Sequence, residues 1–297
     1  MSQTTIVVGA GLMGTGIAHA FAISGHRVVL VDSDMAAAEK AQAQIAKIVG
    51  DGVRLGKLDE AKGRAALDSL SLASALDGRL AEAGLLIETA TEKLEIKQAI
   101  LSQADDLLPA HAVIGTNTSA LSISELAAAT RRAPQVIGMH FFNPVHKMKL
   151  VELIRGVDTS AATVEQSRAW ASEIGKTSIL VNEAPGFTTS RMSALAGNEA
   201  MYMLSEGVAS AEDIDTSLRM AFNHPMGPLE LGDLTGWDTR LKVLQYLHTT
   251  LGEKFRPCPL IIKMVKSGRH GRKVGRGVYE YAADGQKIAG SGLKVHA

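Results

Sequence analysis

Cysteine is almost missing from this sequence: one residue in 297, Cys258. A single thiol excludes an intrachain disulfide framework and fits a reducing compartment. Cys258 stands between Pro257 and Pro259 with no His or Cys cluster beside it, which argues against a thiol nucleophile or a metal ligand, and no metal is expected. An excess of charge of either sign is missing too. Lys+Arg and Asp+Glu both number 31, so the formal net charge is zero. No overall basic field therefore exists to collect nucleic acid or an anionic membrane surface. No window holds the roughly 18 uncharged apolar residues of a membrane helix, and no basic segment with an apolar signal run opens the chain. Internal repeats and low-complexity linkers are absent as well. These absences predict a cytoplasmic protein with a small-molecule substrate, and no nucleic acid or membrane partner.

What is present is a chain that is 46% hydrophobic and long enough for two domains. Short β-branched runs alternate with Ala-rich helical stretches: Thr5–Val8, Val28–Val31, Leu85–Glu88, Val113–Gly115 and Val136–Met139 read as strands, Leu12–Ser24 and Met35–Val49 as helices. Such alternation implies parallel pairing, because each crossover carries the chain back across the sheet. The pattern changes near Pro185-Gly186. Beyond it, Phe187–Ser205 and Leu229–Leu251 are helical in character and strand signals fade. The expected fold is α/β: a Rossmann-like, doubly wound, mostly parallel sheet over 1–183, then an all-helical C-terminal domain over 184–297. The stretch after Tyr281, rich in Gly, Ala and Lys, is expected to fray.

Gly9-Ala10-Gly11-Leu12-Met13-Gly14 directly follows the strand Ile6-Val7-Val8 and opens a helix. A GxGxxG pattern alone is weak, but this context gives each glycine a task. Gly9 allows the tight turn, Gly11 admits a pyrophosphate to the backbone, and Gly14 lets helix and strand pack closely, with Leu12 and Met13 between. Asp32 ends the second strand 18 residues after Gly14, where a carboxylate accepts hydrogen bonds from the adenosine ribose hydroxyls and repels a 2′-phosphate. No Arg follows; the next residues are Ser33 and Asp34. The expected cofactor is NAD rather than NADP, and Asp34 is the better helix cap.

The candidate chemistry lies further along. Val136-Ile137-Gly138-Met139-His140 puts a histidine at the end of an apolar strand, and ligands of open α/β sheets bind outside the carboxyl ends of strands. Leu150-Val151-Glu152-Leu153-Ile154 sets a carboxylate among aliphatic residues, where Glu is uncommon unless paired. A His–Glu pair would satisfy both groups, with the carboxylate orienting the imidazole and stabilising its protonated form. The alternatives are a structural His140 and a Glu152 facing solvent from an edge strand. Asn117-Thr118-Ser119, again after a strand, offers polar side chains for a substrate oxygen, or simply a turn.

Together these pieces resemble the L-3-hydroxyacyl-CoA dehydrogenase family, including its bacterial 3-hydroxybutyryl-CoA members. The resemblance runs from about residue 4 to 281 and rests on GAGLMGTGIA, ETATEKLEIK, GTNTSALSI, GMHFFNPVHKMKLVE, APGFTTSR, EGVASAEDID, NHPMGPLEL and GRKVGRGVYEY. It implies NAD-dependent oxidation of a 3-hydroxyacyl-CoA in fatty acid metabolism, and a homodimer formed through the helical domain. It implies His140 as catalytic base, Glu152 as its partner and Ser119 as a substrate hydrogen-bonder near the nicotinamide. Asn143 matches a position that supports the cofactor site, and Glu92 and Lys97 match cofactor-contacting positions. One position departs: many members have Asn where this chain has Ser190, a shorter group for the same substrate contact. Arg54 and Lys57 lie just beyond the Met35–Val49 helix, where the family receives the CoA moiety, although Asp51 intrudes and a solvated charge cluster accounts for them equally. Relatives of this architecture that oxidise small hydroxy acids such as L-gulonate or carnitine give a second reading, and non-enzymatic crystallin-like relatives a third.

Overall fold

The computed structural model describes residues 3–295. The chain divides into two compact units, Met1–Ala184 and Pro185–Ala297. The first is an α/β layer. Its elements run β1 (Thr4–Val8), α1 (Leu12–Ile23), β2 (Arg27–Val31), α2 (Met35–Arg54), α3 (Glu60–Asp68), β3 (Leu70–Ala73), β4 (Ala83–Glu88), α4 (Leu94–Leu107), β5 (Val113–Thr116), α5 (Ile123–Ala127), β6 (Val136–Phe141), β7 (Leu150–Arg155), α6 (Ala161–Glu173) and β8 (Thr177–Asn182). Among the described residues they form one eight-stranded sheet of order β3-β2-β1-β4-β5-β6-β7-β8. Every pairing is parallel except β6 with β7. This is the doubly wound, mostly parallel sheet that the alternating runs predict.

The continuous apolar runs are the central strands. All five residues of β1 and all six of β4 are buried, as strands covered by helices on both faces must be. After β1 the chain winds outward through β2 and β3, then returns to place β4 on the other side of β1. That reversal opens a crevice at the carboxyl ends of β1 and β4, where an open α/β sheet receives its ligand.

The second unit is helical: α7 (Thr189–Ser205), α8 (Ala211–Ala221), α9 (Pro228–Thr235), α10 (Trp237–Leu251) and α11 (Pro259–Lys266). Its core gathers Met201, Leu229, Trp237, Leu244, Phe255 and Tyr279. The buried Asp233 carboxylate ties the unit together. It accepts from the Trp237 indole (2.6 Å), the Val278 and Tyr279 amides (both 2.8 Å) and the Tyr281 hydroxyl (3.0 Å).

Several boundaries differ from the sequence reading. The helix expected to stop at Val49 continues to Arg54, so Arg54 is its last residue and not beyond it. The first helix of the second unit begins at Thr189; Gly186 and Phe187 before it adopt positive φ, 73° and 49°, and form its entry turn. The stretch after Tyr281 does not fray over the described residues. Ile288 N donates to Glu280 O, Gly292 N to Glu212 Oε1 and Leu293 N to Val278 O, so backbone hydrogen bonds hold a segment whose composition carries no periodic signal.

Candidate active site

The glycine-rich turn between β1 and α1 is closed on one side and open on the other. A Cβ on Gly14 would lie 1.8 Å from Gly9 O, and one on Gly9, at φ +102°, would press on the Thr89 and Ala90 backbone. Only glycine lets α1 and the β4 loop approach this closely. A Cβ on Gly11 would meet nothing within 4 Å. Gly11 caps α1 without a side-chain hydrogen bond, and no acidic residue stands in the first turn. The helix therefore presents uncapped N–H groups and its positive end beside open space, the setting that a pyrophosphate requires. Leu12 is exposed and Met13 half-buried.

Asp32 follows β2 and is half-buried. Its Oδ2 accepts from Ala10 N at 2.7 Å and its Oδ1 from Asp34 N at 2.9 Å. The carboxylate thus braces the glycine turn from the neighbouring strand and stays at the surface of the crevice. Asp34 caps α2, accepting from Ala36 N at 3.0 Å. The residues present fit an NAD adenosine and pyrophosphate.

The antiparallel step brings a histidine and a glutamate together. In the β6–β7 register His140 faces Glu152, and directly opposed side chains lie on the same face of a sheet. His140 Nδ1 stands 2.6 Å from Glu152 Oε2, with the two residues 6% and 0% exposed. Ser119 Oγ lies 3.2 Å from the other ring nitrogen, Nε2. The imidazole is thus held from behind by a buried carboxylate and meets an exposed hydroxyl in front. A proton accepted on Nε2 would be compensated through Nδ1. The Phe142 ring packs 4.6 Å from the imidazole, centroid to centroid.

The loops around this pair are tied by their own side chains. Asn117 Oδ1 accepts from Phe141 N at 2.9 Å, joining the end of β5 to the end of β6. Glu92 Oε1 accepts from Ser119 N at 2.9 Å and from Thr118 Oγ1 at 2.5 Å. Lys97 is buried and reaches Glu88 at 2.8 and 2.9 Å, with Glu92 further away at 3.6 Å. Burial pushes the Glu88 carboxyl up, against the opposing pull of Lys97.

The structure therefore brings His140, Glu152, Ser119, Glu92 and Lys97 into one connected set at the strand ends. Asn143 lies just past β6 and is exposed. Arg54 is exposed and paired with Asp51 at 2.7 Å, and Lys57 is exposed in the turn after α2. Ser190 belongs to the second unit, half-buried in the first turn of α7. Glu88 does not stand out in the sequence, where it reads as the end of the apolar run Leu85–Glu88. A carboxylate closing a fully buried strand was the available signal. Among the described residues, no group of three or more His, Cys, Asp or Glu side chains is arranged to hold a metal ion, and no helix is long and apolar enough to cross a membrane.

Comparison with known proteins gives a consistent result over both units. Residues 4–184 match the 3-hydroxyacyl-CoA dehydrogenase NAD binding domain and residues 186–281 its C-terminal domain. The chain is 44% identical over 280 residues to a 3-hydroxybutyryl-CoA dehydrogenase of Bradyrhizobium diazoefficiens, covering 93% of this chain and 94% of that protein. It is 40% identical over 276 residues to a 3-hydroxybutyryl-CoA dehydrogenase of Clostridioides difficile, covering 93% and 98%. The crystal structure of (S)-3-hydroxybutyryl-CoA dehydrogenase PaaH1 from Ralstonia eutropha superposes with a TM-score of 0.90 at 43% identity, covering 95% of this chain and all of that one.

Proposed function

The chain belongs to the family of NAD-dependent 3-hydroxyacyl-CoA dehydrogenases, and on that premise we propose that His140 carries the proton in the reversible oxidation of an L-3-hydroxyacyl-CoA to the 3-ketoacyl-CoA. The observation that carries this reading is the imidazole held between Glu152 on Nδ1 and Ser119 on Nε2. When bound, NAD supplies the hydride acceptor for the carbinol hydrogen. The chain's own residues handle the rest. His140 Nε2 takes the hydroxyl proton, and Glu152 stabilises the imidazolium that results. Ser119 donates to the substrate oxygen and keeps it in line with the ring. In the reducing direction His140 returns the proton to the ketone oxygen. Ser190 is proposed as a further polar contact to the substrate, and Asn143 as a support of the cofactor pocket. Arg54 and Lys57 are proposed to meet the CoA phosphates, for which guanidinium and ammonium groups are suited.

A cytoplasmic location accords with the single buried thiol, Cys258. A homodimer formed by residues after about 185 accords with the apolar side chains exposed on the second unit, Met192, Met220 and Phe222 among them. The mass in solution at micromolar concentration tests the dimer.

The activity is tested by following NADH oxidation with acetoacetyl-CoA, longer 3-ketoacyl-CoA esters and free 3-keto acids. Turnover of the thioesters with NADH, and much less with NADPH, is expected. Turnover of the free acids alone would move the protein to the small hydroxy-acid dehydrogenases. Equal efficiency with NADPH would remove the role given to Asp32.

A further inference from the structure

The reaction as described makes no use of the ion pair buried behind the loop that carries Ser119. Glu88 closes β4 and Lys97 lies in the first turn of α4, both without exposure to solvent. The Glu88 carboxylate is fully engaged. Its Oε1 meets Lys97 Nζ at 2.9 Å and Ala90 N at 2.5 Å, and its Oε2 meets Lys97 Nζ at 2.8 Å and Thr116 Oγ1 at 2.7 Å. Lys97 also approaches the carbonyls of Ala90 (3.2 Å) and Asn117 (3.4 Å).

A second carboxylate competes for the same ammonium. Glu92 Oε2 stands 3.6 Å from Lys97 Nζ, beyond hydrogen-bond distance, and its side chain is 43% exposed. Its Oε1 is instead committed to Ser119 N and Thr118 Oγ1, and Ser119 Oγ faces His140 Nε2. The arrangement is a balance. A buried ammonium seeks the nearest anion, because desolvation leaves it no water to turn to. While Glu88 occupies Lys97, Glu92 is left to the Ser119 loop. With Glu88 uncharged, Glu92 is the one carboxylate left within 4 Å of Lys97 among the described residues, and tightening that 3.6 Å ion pair draws it off Ser119.

We propose that Glu88 is a positioning residue for the reaction: by holding Lys97 it leaves Glu92 to fix Ser119 against His140. The inference rests on the reading of His140 and Ser119 given above. It differs from a plain staple between β4 and α4, which would affect stability alone.

The test is Glu88→Gln in the full-length protein, made in the unaltered chain and again with Ser119→Ala. For each variant, kcat for acetoacetyl-CoA reduction, NADH binding by fluorescence and the urea midpoint are measured. The positioning role expects Glu88→Gln to lower kcat about tenfold in the unaltered chain and less than about twofold in the Ser119→Ala chain, the coupling expected of side chains in one network. Should Glu88→Gln fail to fold, Thr116→Val removes one hydrogen bond from Glu88 and is expected to lower kcat about threefold, again only while Ser119 is present. Equal losses in both backgrounds, or a lower urea midpoint with kcat unchanged, would overturn the proposal. A His140→Gln variant as active as the parent would overturn the underlying reading as well, and so separates the two failures.

Discussion

His140 and His19 are both buried imidazoles of the same α/β unit, 6% and 8% exposed, and their surroundings are opposite. His140 has a carboxylate 2.6 Å from Nδ1. His19, on α1, has no hydrogen-bond partner for Nδ1, and its neighbours are the His146 ring, edge-on at 6.2 Å, and the Lys176 ammonium. Burial, followed by those two neighbours, pushes the His19 pKa down to about 4. Removal from water is common to the two rings. What separates the two rings is the countercharge: a carboxylate stands behind His140, and only a second imidazole and an ammonium stand near His19.

The comparison is tested most severely by removing each ring. His140→Gln is expected to lower kcat by about 10²–10⁴-fold, the usual contribution of general acid–base catalysis, with NADH binding little changed. His19→Gln should leave kcat within about twofold. Steady-state kinetics of the two variants side by side would break the comparison if their effects were alike.

The second expectation concerns acid. His19 has a folded-state pKa of about 4 against an ordinary 6.5. A depressed folded pKa contributes stability that is fully present above pH 6.5 and is lost as pH falls toward 4, because only the unfolded chain takes up the proton readily. From neutral pH to pH 4 the loss is about 3 kcal/mol. Urea unfolding at pH 7.5 and pH 4 should therefore show the unaltered chain losing about 3 kcal/mol more than His19→Gln. Parallel losses would mean that His19 is not the group being protonated.

Glu152→Gln makes His140 resemble His19 by removing its countercharge. Loss of a charge-assisted hydrogen bond predicts a fall in kcat of about 10- to 100-fold, smaller than that of His140→Gln because the ring itself remains. Rate retention within about twofold would show that the countercharge is not what distinguishes the two histidines. The smallest effect is expected at Ser190, where a polar group without charge is at stake. Ser190→Ala should reduce kcat/KM by up to about tenfold, the value of one hydrogen bond, and Ser190→Asn should stay active. Unchanged kcat/KM in Ser190→Ala would leave that residue as a part of α7 only.

The sequence displays the centre of the sheet better than its edges. β1, β2 and β4 are continuous aliphatic runs because helices cover both of their faces. β3 and β8 give little strand signal because Leu70-Ser71-Leu72-Ala73 and Thr177–Asn182 lie at the two edges of the sheet. There exposed and half-buried positions interrupt the apolar signal. The site divides in a similar way. His140 and Glu152 stand out as polar residues inside apolar runs, and the sheet register sets them face to face. The Glu88–Lys97 pair does not stand out, because Lys97 sits in a stretch that reads as an ordinary amphipathic helix. Only the fold turns that lysine inward against the end of β4.

The antiparallel step between β6 and β7 also limits how the gene can change length. Side chains of a strand alternate between faces, so a residue gained or lost inside β7 inverts the chain on one side of the change and turns either Glu152 or the residues behind it to the wrong face. The connection 142–149 lies outside the paired residues of the two strands, so its length does not set their register, but it is tied down in other ways: Val145 is buried, and the carbonyls of Val145 and Met148 both accept from Lys176 Nζ at 2.7 Å. In lineages that descend from this chain, insertions and deletions should therefore be purged from the six codons of β7.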